Sequence, residues 1–97
     1  MDLEDWRKEI DVLDMKLLKL LNRRAQCAIE IGRIKQAIEQ PIFVPEREAA
    51  ILKRMLELNN GPTDDEAVRR IFQQIIDESR RLSQEHGQRE TGDPNPP

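Results

Sequence analysis

The chain has 97 residues and a formal net charge of -3, with 36% charged and 37% hydrophobic residues, two Phe, one Trp and no Tyr. That length bounds it to a single domain, and the net negative charge argues against a general nucleic-acid binder. The opening Met1-Asp-Leu-Glu-Asp5 is too acidic for a targeting segment, and no apolar run approaches the roughly 20 residues of a membrane span. A lone Cys27 and a lone His86 leave no disulfide framework and no metal site. The expectation is a cytoplasmic protein.

The first predicted element runs from Asp2 to about Glu39. Leu3, Trp6, Ile10, Leu13, Leu17, Leu20, Arg24, Cys27, Ile31, Ile34 and Ile38 recur at alternating spacings of three and four, which is a heptad seam. Asp2 and Asp5 supply an N-terminal cap pair. A helix of this length spans on the order of 55 Å, whereas a compact chain of about 100 residues has a radius of gyration of only ~13 Å. One copy cannot cover the seam from end to end. A homodimer is therefore expected, a common remedy for chains too short to build a sufficient core.

Gln40-Pro41 ends this helix, because the residue before a proline is pushed out of the helical region. Pro45 then opens a second, short helix with Glu46 and Glu48 near its N-terminal dipole and an apolar stripe of Ile51, Met55 and Leu58, with Leu52 beside it. Asn59-Asn-Gly-Pro62 is a turn, and Thr63-Asp-Asp-Glu66 reads as a capping box opening a third helix of medium length. Its stripe is Val68, Ile71, Phe72, Ile75, Ile76 and Leu82. From Gly87 the sequence is polar with three prolines, so the expected division is a helical domain over 1–86 and a polar tail or linker stub over 87–97. The fold class is all-α.

Function is sought where this pattern breaks. Arg24 occupies a seam position that calls for Leu or Ile, and a buried arginine requires an anion. Lys35 follows eleven residues later, within about 20° of the same direction and roughly 16 Å along the axis, so the two cations can lean toward one small anion. Ser79 and Ser83 continue the apolar stripe of the third helix, and buried hydroxyls need partners. Taken singly, each residue has a blander reading: a salt bridge for Arg24, a solvated flank for Lys35, a fading core for the serines. Arg7 lies about 25 Å from Arg24 and roughly 100° around the helix, so only a second chain could deliver it to the same ligand. No nucleophile–base pair is present, which leaves positioning and charge as the chemistry.

These residues resemble the all-helical class of chorismate mutases over about residues 3 to 84. The resemblance is carried by Arg7-Lys-Glu-Ile-Asp-Val-Leu-Asp14, Leu20-Leu-Asn-Arg-Arg24, Ile31-Gly-Arg-Ile-Lys35, Pro41-Ile-Phe-Val-Pro-Glu-Arg-Glu48 and Ile71-Phe-Gln-Gln-Ile-Ile-Asp-Glu-Ser79. It implies three helices per chain, interlaced with a second copy into a six-helix homodimer. It also implies the Claisen-type rearrangement of chorismate to prephenate in aromatic amino-acid biosynthesis, with no cofactor, metal or covalent intermediate. By position, Arg24 would clamp one substrate carboxylate with Ser79 as an auxiliary contact, and Arg7 of the other subunit would clamp the second. Lys35 would reach a carboxylate and the ether oxygen. Glu48 would accept from the ring hydroxyl, helped by the Val44 backbone N–H, with Arg47 orienting the site.

Two departures stand out. The family often has Asp where Val44 stands, and typically Gln or a protonated Glu where Ser83 stands, to donate to the ether oxygen. Here either a water bridges Ser83 to the substrate or the helix end shifts to bring in Gln84. Two other functions remain in view: an isochorismate pyruvate lyase on the same fold, which has less use for an acceptor at Glu48, and a non-catalytic dimerisation or regulatory module joined through the tail to a larger enzyme partner.

Overall fold

The computed structural model describes the backbone of residues 1–92 and the side chains through His86. It contains three helices, α1 (Leu3–Ala37), α2 (Pro45–Leu58) and α3 (Asp65–Gly92), and no strand among the described residues. The long–short–medium order read from the sequence stands, although α3 is longer than expected.

Each boundary has a local cause. Asp2 accepts from the Asp5 N–H at 2.9 Å while Asp5 accepts from the Asp2 N–H at 3.1 Å, so two of the unpaired donors at the start of α1 are satisfied reciprocally. At the other end the Gln40 N–H reaches back to the Lys35 carbonyl at 2.8 Å and the Glu39 N–H to the Gln36 carbonyl at 3.2 Å. These two bonds form a Schellman motif with Glu39 in the left-handed region at φ 56°. The helix thus stops at Ala37, before the proline exerts its effect. Val44 caps α2 without a side-chain hydrogen bond, and Pro45 holds the first helical position.

The cap of α3 differs from the capping box placed at Thr63. Asp64 is the capping residue, accepting from the Ala67 N–H at 2.8 Å, so the start is displaced by one residue and Glu66 has no reciprocal role. Aspartate caps at least as well as threonine, and Thr63 is left to the turn, where its carbonyl accepts from Asn59. The expected break at Gly87 also differs: the α3 backbone continues to Gly92. Gln88, Arg89 and Glu90 favour helix even without an apolar face, and the next strong breaker is Pro94. Residues 93–97 of the expected tail lie outside the described residues.

Both α1 and α2 pack on α3, and their backbones make no close approach to each other. The α1–α3 contact runs along Ala25, Ala28 and Gly32 rather than along the heptad seam, because small side chains let two helix backbones draw together. Gly32 marks the crossing: a Cβ there would lie 2.8 Å from the Ser83 Cα and closer still to its carbonyl oxygen. The seam itself is bare. Leu3, Trp6, Ile10, Leu13, Leu17 and Leu20 are 52–63% exposed, and the radius of gyration is 17.2 Å, well above that of a compact chain of this length.

Candidate active site

With α1 and α2 held apart on α3, a cavity of about 270 Å³ opens among the three helices and the Ile42–Val44 segment. Its polar side comes from α1 through Arg24 and Lys35, from α2 through Arg47 and Glu48, and from α3 through Ser79, Arg80 and Ser83. Ala28, Ile31, Ile51 and Ile76 form the apolar part of the wall. Four cationic side chains and one carboxylate therefore surround a small space in a chain whose net charge is negative.

The cations differ in their engagement. Arg24 is half-buried and donates through Nη1 to the Ser79 hydroxyl, which joins a side chain on α1 to one on α3. Lys35, also half-buried, points its Nζ toward the Ile42 carbonyl at 3.5 Å. Neither has a carboxylate within ion-pair distance among the described residues, and Arg47 has none either. Positive charge gathered in a partly desolvated hollow without internal compensation is an anion site in physical terms. Arg80 is the exception. Its Nε and Nη2 donate to the two Glu48 carboxylate oxygens at 2.9 and 3.3 Å, Nη2 also reaches Asp77 at 2.9 Å, and its guanidinium carbon lies 4.7 Å from the Phe43 ring centre. The hydrogen bond it donates to Glu48 raises the Arg80 pKa above its ordinary value.

Of the residues singled out in the sequence, Arg24, Lys35, Val44, Arg47, Glu48, Ser79 and Ser83 all line this one cavity. Val44 keeps its N–H free of partners among the described residues, while its carbonyl closes the first turn of α2 through Arg47 and Glu48. Ser83 is 5% exposed, and its hydroxyl donates to the Ala28 carbonyl. Gln84 is exposed and is not part of the wall. Arg7 is remote from the cavity of its own chain, on an exposed stretch of α1 where it pairs with Glu4 at 2.8 Å.

Arg80 was missed in the sequence. It sits four residues after Ile76 and three before Ser83, the spacing of one helix face, and three after Asp77, with which it pairs. That placement was the available signal, but the partner that matters, Glu48, is 32 residues away.

Comparison with known proteins gives the family independently of this geometry. The family profile of chorismate mutase type II matches residues 6–84. The chain is 44% identical over 87 residues to the bifunctional chorismate mutase/prephenate dehydratase of Pseudomonas aeruginosa, covering 84% of this chain and 24% of that protein. It is also 44% identical over 79 residues to the protein of the same description from Aquifex aeolicus, covering 77% and 22%. The chain thus spans about a quarter of the length of these curated relatives. Among solved structures, chorismate mutase (form II) from Thermus thermophilus superposes with a TM-score of 0.82 at 33% identity, covering 84% of this chain and 92% of the other. Chorismate mutase from Helicobacter pylori in complex with prephenate gives 0.79 at 36% identity, covering 87% and 91%. On the family profile and these structural matches, the chain belongs to the chorismate mutase type II family.

Proposed function

We propose that this chain catalyses the rearrangement of chorismate to prephenate, a step of aromatic amino-acid biosynthesis, by electrostatic preorganisation and without a covalent intermediate. The observation that carries the reading is the pocket itself: Arg24, Lys35 and Arg47 face one small cavity with no carboxylate of their own. Chorismate carries two carboxylates, an enolpyruvyl ether and a ring hydroxyl. Arg24, braced by Ser79, takes one carboxylate. Lys35 reaches a carboxylate and the ether oxygen, where negative charge grows as the C–O bond breaks. Glu48 accepts from the ring hydroxyl, and the free Val44 N–H lies on the same wall. Fixed charges around a folded substrate lower the barrier by orientation and by stabilising the transition state more than the ground state.

The active unit in this reading is a homodimer in the cytoplasm. The bare stripe from Leu3 to Leu20 is too large and too continuous for a lone chain, and a second α1 covers it with the matching spacing. Pairing also brings Arg7 of one chain toward the cavity of the other, where it supplies the second carboxylate clamp. Among the described residues no helix is long and apolar enough to cross a membrane. Fusion to a larger enzyme is a property of the bifunctional relatives.

The test is direct assay of the purified chain with chorismate and, separately, with isochorismate, with product identification. Loss of chorismate with stoichiometric prephenate supports the reading. Pyruvate release from isochorismate without prephenate formation reassigns the pocket to a lyase, and no turnover of either removes the enzymatic reading.

A further inference from the structure

Arg80 is not required to make the cavity cationic, since Arg24, Lys35 and Arg47 already do so. Its bonds point to a different task. Both oxygens of Glu48 are held by one guanidinium in fork geometry, and the Glu48 side chain is only 18% exposed. Asp77, one turn earlier on α3, accepts from the same Nη2, and Phe43 lies against the guanidinium face. Arg80 therefore ties α3 to α2 and to the segment that precedes α2.

This link matters because of how the fold transmits position. Arg24 and Lys35 stand on α1 and Glu48 on α2; the backbones of these two helices do not approach each other, while both pack on α3. The placement of Glu48 relative to the cations on α1 therefore depends on what fastens α2 to α3. Apolar contacts fix the helix as a body, but they leave a three-torsion glutamate free to turn. The Arg80 fork removes that freedom. A carboxylate offers about four lone-pair sites, so two remain for a hydroxyl after Arg80 has taken its share.

We propose that Arg80 is a positioning residue for the reaction: acting through Glu48, it fixes the acceptor that holds the ring hydroxyl of the substrate. The proposal rests on the reading of Glu48 given above. Arg80 spends its Nε and Nη2 donors on Glu48 and Asp77, so its fork serves the chain's own carboxylates and only Nη1 is left over.

The experiment compares Arg80→Met, Arg80→Lys and Glu48→Gln with the unaltered chain. Met keeps an unbranched stem to lie on Phe43 and deletes the fork, while Lys restores one charged donor without the second. Two substrates are used, chorismate and its analogue with hydrogen in place of the ring hydroxyl. The expected result is a fall of about 10–100-fold in kcat/KM for chorismate with Arg80→Met, the range for losing a hydrogen bond to a charged group, and a smaller fall with Arg80→Lys. On the hydrogen analogue the difference between Arg80→Met and the unaltered chain shrinks to within about threefold. In a Glu48→Gln background, Arg80→Met adds little. A merely structural arginine would reduce activity on both substrates alike. An equal deficit on the two substrates, fully multiplicative losses with Glu48→Gln, or a folded Arg80→Met with chorismate turnover within twofold of the parent would each overturn the positioning role. If Arg80→Met fails to fold, Arg80→Lys carries the same two-substrate comparison. An unaltered chain without mutase activity refutes the reading of the pocket itself, which separates that failure from failure of this inference.

Discussion

The Ser83 hydroxyl on α3 donates to the Ala28 carbonyl on α1, at the point where Gly32 lets the two backbones meet. Ser83 thus lines the cavity and at the same time joins its two walls. The Ala28 carbonyl already serves the helical hydrogen bond of α1, so the serine adds a second bond to it and satisfies its own buried hydroxyl. We expect Ser83→Ala to lower stability by about 0.5–1.5 kcal/mol, the net worth of one such hydrogen bond. Turnover should change less than about threefold, because the hydroxyl is spent on the helix crossing. Thermal denaturation together with kcat checks this: a large loss of kcat at unchanged Tm would place Ser83 on the substrate instead.

Lys35 carries the sharper kinetic expectation. Its Nζ has one long contact, to the Ile42 carbonyl, and no carboxylate to release before it can meet the substrate. If it stabilises charge that develops on the ether oxygen, Lys35→Ala should depress kcat about 10²–10³-fold while weakening binding far less. Lys35→Arg should recover only part of the loss, since a planar guanidinium delivers its charge differently from a compact ammonium. Near-normal kcat in a folded Lys35→Ala protein would dismiss the electrostatic mechanism.

Stability offers an independent check on the backbone. Glu39 occupies the left-handed position of the α1 terminus, where glycine is the usual residue and a Cβ is penalised. Glu39→Gly should therefore stabilise the chain by up to about 0.6 kcal/mol, the low end of the cost of a left-handed L-residue (about 1 kcal/mol) less the entropy a glycine adds to the unfolded state (at least about 0.4 kcal/mol). Chemical denaturation measures it, and a destabilised variant would mean that the Glu39 side chain contributes something the terminus geometry does not reveal.

The sequence made the helices and the cavity wall legible for different reasons. Spacings of three and four along one chain are local, and so are caps and prolines, which is why α1, α2 and the start of α3 could be placed to within a residue or two. Arg24 and Lys35 were visible because they interrupt an apolar pattern. Arg80 was not, since it interrupts nothing and its role arises from a partner on another helix. The seam follows its periodicity along α1, but the periodicity does not say what covers it. Within the chain the contact runs along Ala25, Ala28 and Gly32, a line of small residues that a search for large apolar side chains passes over.

The bare seam and the distance of Arg7 from its own cavity lead to the last prediction. Arg7 pairs with Glu4 on the exposed N-terminal part of α1, a surface bridge of the kind worth little, so it can be exchanged for a substrate carboxylate at small cost. In the proposed dimer each cavity takes Lys35 from one chain and Arg7 from the other. Arg7→Ala and Lys35→Ala homodimers should both be nearly inactive, because every cavity lacks one charge. When the two variants are unfolded together and refolded, half of the dimers formed at random are mixed. Each mixed dimer contains one cavity with both defects and one with neither, so the mixture should recover about a quarter of the activity of the unaltered protein. Refolding each variant alone provides the baseline. Recovery near a quarter requires both dimerisation and a shared site, whereas mixtures that stay at the baseline while sedimenting as dimers would show that each chain completes its own cavity.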